Sequence, residues 1–511
     1  MNYADLFRAT LPETALEVAA LLVLVVDLGF LRKAALKTRV AIASLIGVAG
    51  CGAALWAVYA AGSAGLSVGG ELLLSAGGAA SVAQAGILLL TALTLLLLID
   101  SVFTRHVGEY VAVVLMAAAG GLVIAAAQDL LVIFVGLELL SLGLYILTAF
   151  NKHSGKSAEA AMKYYLFGGM SAAFLLFGFS YLYGITGSTN LLKIVQVAYF
   201  QNVFGGAPLL GIASVMIATG LGFKVAAVPF HLWAPDTYEG APAPAAAFIA
   251  SVSKVASFAL LISIGTAMLH VSGQYVVGHF VVQVTQDAAR HFGMEGSWGL
   301  ILTLLSTASM VVGNLAALAQ SSVRRLLAYS AIAHAGYILL GLAFFSWTNL
   351  SAAAILYYIL TYGLTTIGAF GMVGVVERAT GSDKLDAFLG LHKRNPLLAA
   401  VLLVLFLSLA GIPPLVGFWA KFNLFAAVLS VSAGPVPFAL VALAIAMSAV
   451  SLYYYLQVLK RAYVMPAVDE SPIKAHPVTL IVLLAIAAAV VVLGCFPALL
   501  QNWIASFYPQ M

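Results

Sequence analysis

Apolar stretches of about 20 residues follow one another along almost the whole chain, and nothing else in the sequence constrains the fold as tightly. A helix needs about that length to cross the hydrocarbon of a bilayer. Fourteen windows qualify, near 13–31, 40–61, 80–99, 108–127, 129–150, 158–184, 208–231, 241–269, 298–320, 325–345, 350–376, 396–429, 436–459 and 477–500. The longest interval between them, His270 to Ser297, reads as a loop. Asp5, Glu13 and Glu17 stand where a cleavable signal would carry basic residues. Charged residues make up 8% of the chain against about 25% in a soluble domain, too few to coat a globule. That excludes a soluble enzyme, and a thin scatter of charge with net +4 excludes a nucleic-acid face. Cys51 and Cys495, at opposite ends, fall short of the roughly four ligands of an iron–sulfur or zinc site.

Loop charge sets the expected orientation. With the N-terminus outside, the inner loops hold sixteen Lys and Arg, from Arg32 to Lys474, and the outer loops only Arg8, Lys193 and Arg290. Both termini are then expected on the outer side. Four lysines remain within spans: Lys163, Lys224, Lys254 and Lys421. Lys163 lies in the first turns of its helix and can snorkel to the inner surface. The other three are deep.

The sixth and eleventh spans share a pattern. Ala161-Met-Lys-Tyr-Tyr165 aligns with Ala354-Ile-Leu-Tyr-Tyr358, and Phe177-Gly178 with Phe370-Gly371 at the same offset. The seventh and twelfth spans are both interrupted by proline. Five is odd, so a second copy five helices later lies upside down. Inverted repeats with broken helices are a transporter design. The expected fold is therefore an all-α polytopic membrane protein of about fourteen helices with two inverted five-helix repeats. Its segments are 1–107 (three helices), 108–270 and 298–463 (the repeats) and 464–511 (a last helix).

A charge at the centre of a span costs at least about 2.5–3.5 kcal/mol and needs a partner. Glu138, in Gly136-Leu-Glu-Leu-Leu-Ser141, is the only carboxylate deep in the middle spans, and Lys224 is its natural counter-ion. Pro229 follows Lys224 by five residues and opens its helix; Gly411-Ile-Pro-Pro414 does the same before Lys421. Freed carbonyls at that depth must face protein or water. Lys254 and His334 continue the line, since a desolvated lysine or an imidazole can pass on a proton. His231 reads as an interfacial contact or a cap. The tryptophans and most tyrosines read as belt or packing residues, and the dispersed glycines as close-packing positions.

Together, Gly-Leu-Glu138-Leu-Leu-Ser, the run from Gly222-Phe-Lys224 through Pro229, Asp236 and Glu239 to Pro242, Lys254, Arg325-Leu-Leu-Ala-Tyr-Ser330 and Gly411-Ile-Pro-Pro resemble the antiporter-like membrane subunits of respiratory complex I. Among these the chain is most similar to the subunit N type. Fourteen spans without a long lateral helix speak against the L type, and Lys421 in place of a glutamate against the M type. The resemblance implies a Glu138–Lys224 pair, Lys254 as the central lysine and Lys421 as the outlet lysine. It implies no cofactor bound here: NADH, flavin (FMN), iron–sulfur clusters and quinone belong to partner subunits. Further antiporter-like membrane subunits would be its neighbours in a bacterial inner membrane, and protons its cargo. The runner-up readings are a subunit of a multisubunit cation/proton antiporter and an independent secondary transporter.

Overall fold

The computed structural model describes residues 3–61, 65–68, 71–101, 103–203, 207–269, 273–277, 280–284, 297–345, 349–431, 434–467 and 470–507. Arg290 and the junction around 285–296 lie outside the described residues. The main helices are α1 (Leu11–Val25, continued by a π turn over Val26–Phe30), α2 (Leu36–Ala61), α3 (Gly78–Leu98), α4 (Val107–Ala126) and α5 (Leu130–Thr148). Then come α6 (Gly155–Thr186), α7 (Ala207–Val225), α8 (Trp233–Gly240), α9 (Ala243–Leu269), α10 (Ser297–Leu318) and α11 (Val323–Ala343). The last five are α12 (Asn349–Thr380), α13 (Pro396–Ala410), α14 (Val416–Val431), α15 (Pro435–Tyr463) and α16 (Pro477–Cys495).

Among the described residues, twelve helices are long and apolar enough to cross a membrane. α13 and α14 are shorter apolar helices, and α1 reaches a spanning length only with its π turn. One expectation needs correction. The interval after His270 is not all loop, because Gly273–Val277 pairs antiparallel with Phe280–Val284. The proline-interrupted window 208–231 is a broken helix: α7 stops at Val225 and α8 begins at Trp233.

α9, α11 and α12 form the buried centre, while α6 and α15 lie largely at the periphery. Small residues let backbones approach, as membrane packing requires. The end of α1 is tied to α2 and α4 by Asp27, which takes two hydrogen bonds from Arg39 (2.7 and 2.6 Å) and one from the Gly108 amide (3.0 Å).

Candidate functional site: a line of buried cations between two helix breaks

Both breaks are built alike. At the first, the Ala227 N–H bonds the Gly222 carbonyl (2.8 Å) and the Ala226 N–H the Phe223 carbonyl (3.0 Å). At the second, the Ile412 N–H bonds the Leu407 carbonyl (3.0 Å) and the Gly411 N–H the Ser408 carbonyl (2.9 Å). Each is a Schellman cap with its pivot in the left-handed region: Ala226 at φ 58° and Gly411 at φ 87°. Trp233 Nε1 donates to the Phe223 carbonyl (3.0 Å), and the Val228 N–H to Ser309 Oγ (2.9 Å), fixing the chain beyond the first break. At the second break Gly417 admits no side chain, because a Cβ there would lie 1.8 Å from the Ser408 carbonyl oxygen.

Lys224, in the last turn of α7, donates to Ser141 Oγ (2.6 Å), and its Nζ lies 3.7 Å from Glu138 Oε1. Ser141 stands one turn from Glu138 on α5 and passes its own proton to the Leu137 carbonyl. The Glu138 side chain retains 28% exposure. It belongs to the outward stripe of α5 that also holds Leu131, Val135, Leu142 and Ile146. The carboxylate thus faces inward to Lys224 and outward past this chain.

Lys254, on α9, donates to the Ala331 carbonyl (2.5 Å), with the Tyr362 ring centroid 5.8 Å from its Nζ. His334 follows Ala331 on α11 and packs on Tyr362 with ring centroids 4.8 Å apart. Its Nδ1 is hydrogen-bonded with Tyr358 OH, 2.8 Å away, and the tautomer sets which of the two donates.

Lys421, on α14, donates to the Leu409 and Ala410 carbonyls (3.2 and 2.9 Å) and to Ser448 Oγ (2.8 Å). These are the carbonyls that the cap of α13 leaves unpaired, so the second break supplies the ligands of its own lysine. The Tyr362 ring lies against both Lys254 and His334, and the Tyr337 ring lies 5.8 Å from the His334 ring and 5.4 Å from Lys421 Nζ, so two tyrosine rings connect Lys254, His334 and Lys421. Among the described residues, no hydrogen bond joins the Lys224 cluster to Lys254.

Sequence reasoning missed Ser141, Tyr358, Tyr362 and Ser448. Ser141 was legible as a polar residue one turn from Glu138, and Ser448 as a hydroxyl inside an apolar span. The tyrosines carried no signal beyond the repeat pattern. Lys163 pairs with Glu159 and Asp236 (2.7 Å each) at a charged face of the molecule. There Arg325 bridges Asp236 (2.6 Å) and Glu239 (3.1 Å), and Lys156 holds Glu239 (3.0 Å). Burial pushes both carboxyls up, but these cations outweigh it and hold Asp236 and Glu239 below the usual carboxylate range. α8, directly after the first break, is thereby clamped to α6 and α11. Arg324 beside it binds the Glu239 and Ala241 carbonyls and Glu377 (2.6 Å), at a cleft of about 530 Å3. His231, in the connection between α7 and α8, is partly buried, and its Nδ1 finds no partner.

The family model described as NADH:quinone oxidoreductase/Mrp antiporter, TM, matches residues 127–286 and 275–448, a stretch that contains every one of these cations. The chain belongs to this family. NADH-quinone oxidoreductase subunit N 2 of Acidobacterium capsulatum is 48% identical over 99% of both chains. Subunit N 1 of Roseiflexus castenholzii is 40% identical over 81% of this chain and 76% of its own. Among solved structures, a chain of respiratory complex I from Thermus thermophilus with bound aureothin has a TM-score of 0.75 at 32% identity, covering 96% of this chain and 98% of that one. A chain of the Mrp complex from Dietzia sp. has a TM-score of 0.79 at 20% identity over 98% of both, which is likeness of fold alone. Within the antiporter family the chain is therefore most like complex I subunits of the N type. Among the described residues, no group of His, Cys, Asp and Glu could hold a metal ion.

Proposed function

We infer that this chain is a proton-translocating membrane subunit of an NADH:quinone oxidoreductase, working beside further antiporter-like subunits. NADH, FMN, iron–sulfur clusters and quinone would be held by partner subunits. The full-length match to subunit N supports this over a cation/proton antiporter, which the Mrp likeness reaches at fold level only. An independent transporter would need a dedicated substrate pocket at mid-depth, where this chain has a line of titratable groups. Fourteen spans follow if α1 with its π turn crosses once and α13 and α14 together cross once. The matched Schellman caps support two inverted repeats, 108–270 and 298–463, after a three-helix segment to 107 and before a last helix in 464–511. Loop charge supports both termini on the outer side of a bacterial inner membrane.

The observation that carries the mechanism is the run Lys254–His334–Lys421. A proton loaded on Lys224 is stabilised by Glu138. A positive charge brought to the outward face of Glu138 by a neighbouring subunit weakens that hold, and the proton moves towards Lys254 through water. His334 takes the proton at one ring nitrogen and gives one up from the other towards Lys421. Lys421 releases to the outer side. Each charge moved costs about 2.3 kcal/mol per 100 mV, so the energy must come from the redox partners.

The test is Lys254→Met in inverted vesicles containing the whole complex. NADH oxidation should continue while acidification per NADH falls. Full acidification in an assembled variant, or purification of the chain without any redox subunit, would remove this reading.

A further inference from the structure

Beside the run of cations lies a second buried polar group that the relay does not use. Asn314, on α10, is fully buried; Tyr337 (α11), Tyr454 and Tyr455 (α15) and Ser330 (α11) are at most 2% exposed. Asn314 Nδ2 donates to the Met310 carbonyl (2.7 Å) and to Tyr337 OH (3.0 Å), while Tyr454 OH donates to Asn314 Oδ1 (3.1 Å). The Met310 carbonyl can only accept, so it fixes which end of the amide points which way. Tyr337 must then accept from the amide, and Tyr454 must give its proton to it.

The two sides of Asn314 lead to different places. On one side, the Tyr337 ring lies 5.4 Å from Lys421 Nζ and 5.8 Å from the His334 ring. On the other, Tyr454 packs on Tyr455 (ring centroids 4.5 Å), whose phenol is hydrogen-bonded to Ser330 Oγ. Ser330 is about two helical turns from the start of α11 and the charged face that holds Arg324 and Arg325. Hydroxyls relay protons because each can accept one and release another. A carboxamide cannot: its nitrogen does not give up a proton near neutral pH, and its oxygen does not keep one.

We propose that Asn314 is a proton insulator, an amide set between Tyr337 at the His334–Lys421 junction and the Tyr454, Tyr455 and Ser330 hydroxyls that lead towards the charged face, blocking proton passage between the two sides. The inference rests on the reading under Proposed function. A leak here would let the membrane potential drive protons back, releasing about 2.3 kcal/mol per charge per 100 mV. With a carboxyl at 314, one oxygen would take a proton from the junction side as the other released one towards Tyr454. The net transfer is one proton from the Tyr337 side of position 314 to the Tyr454 side. An asparagine that only pins three helices together would show no such behaviour.

The test uses Asn314→Asp and Asn314→Ser in the complete complex, in inverted vesicles. It records acidification per NADH oxidised and the decay of an imposed pH gradient. Both variants should oxidise NADH at no less than the wild-type rate. Asn314→Asp should lose about half or more of the gradient per NADH and decay several-fold faster, with Asn314→Ser intermediate. Adding Tyr454→Phe to Asn314→Asp should restore tightness by cutting the chain. Wild-type decay in either assembled variant, a leak that survives Tyr454→Phe, or failure of both variants to assemble overturns the proposal. Lys254→Met in the same vesicles separates the two readings. If it pumps fully, the carrier function itself fails. If it loses pumping while Asn314→Asp stays tight, the insulator alone fails.

Discussion

Lys224 and Lys421 stand at two breaks with the same cap geometry, yet their surroundings have opposite character. Lys224 ends the helix before its break and faces a serine and a carboxylate that remains partly open to the outside of the chain. Lys421 follows its break and faces only neutral acceptors, two backbone carbonyls and a serine. A lysine paired with an open carboxylate responds to whatever charge a neighbour brings to that carboxylate. A sealed lysine on carbonyls responds only to protons that reach it along its own line. On the proposed relay, the first site is the one biased from outside and the second the one that receives and releases.

The substitution that strains this contrast most is Lys421→Arg. If Lys421 merely satisfies carbonyls, a guanidinium should serve, since it donates from more positions. If it must release a proton, arginine fails, because it stays protonated at any accessible pH. Proton transfer through this chain should fall by about a hundredfold, the low side of what a positioned proton-transfer group contributes, and NADH-driven acidification should drop with it in a complex whose subunits are all present on a blot. Full acidification would make the lysine structural and move the outlet elsewhere.

A smaller but still large effect is expected at the first break. Lys224→Ala and Glu138→Ala should each impair acidification while quinone reduction continues in an assembled complex. The comparison sharpens with Glu138→Gln, which keeps the shape and removes the charge. Because the carboxylate biases the lysine and is not itself in the line, Glu138→Gln should retain more acidification than Lys224→Ala. Equal losses would make Glu138 a carrier, and near-normal pumping in both alanine variants would sink the pair.

Much of this was legible in the sequence because a bilayer allows few solutions. The spans had to be apolar, and intramembrane charges had to be paired or functional, so Glu138, Lys224, Lys254, His334 and Lys421 stood out. Pro229 and Pro413–Pro414 announced the breaks. What stayed hidden depended on backbone geometry. The left-handed pivot at Ala226 has no sequence signature, because alanine is an ordinary helix residue. Nor could spacing show that the Tyr337 ring lies near both His334 and Lys421, since Lys421 is on a different helix. Asn314 read as one more polar residue in an apolar span until Tyr337 and Tyr454 were placed around it.

The clamp on α8 tests whether the first break depends on its charged bracing, where the second is braced by the Trp419 Nε1 bond to the Gly494 carbonyl of α16 (2.8 Å). Asp236 and Glu239 titrate lower folded than unfolded, so their contribution is present above the ordinary carboxylate range, about pH 4, and is lost as pH falls through the folded values. Thermal aggregation of the detergent-solubilised complex should change little from pH 7 to 5 and occur at lower temperature below that. In Asp236→Asn this low-pH slope should flatten. An unchanged slope would mean that other carboxyls set the acid limit.

The smallest effect is the one that asks whether the two caps are equivalent. Ala226 and Gly411 occupy the same left-handed position, but only glycine takes it without cost; for an L-residue that region is unfavourable by roughly 1–2 kcal/mol. Ala226→Gly should relieve part of that strain, raising the melting temperature of the purified complex slightly and leaving acidification unchanged. The converse, Gly411→Ala, adds strain at φ 87° and places a Cβ 3.0 Å from Lys421 Cδ and 3.2 Å from its Nζ. It should lower the melting temperature and, if Lys421 carries a proton as proposed, acidification too, because Lys421 is the side chain it crowds. Opposite signs in the two melting shifts, with only Gly411→Ala affecting pumping, would show one cap geometry serving two different lysine sites. If Ala226→Gly lowered acidification, the first pivot would be a working part of the relay, with its alanine retained to stiffen the turn beside Lys224.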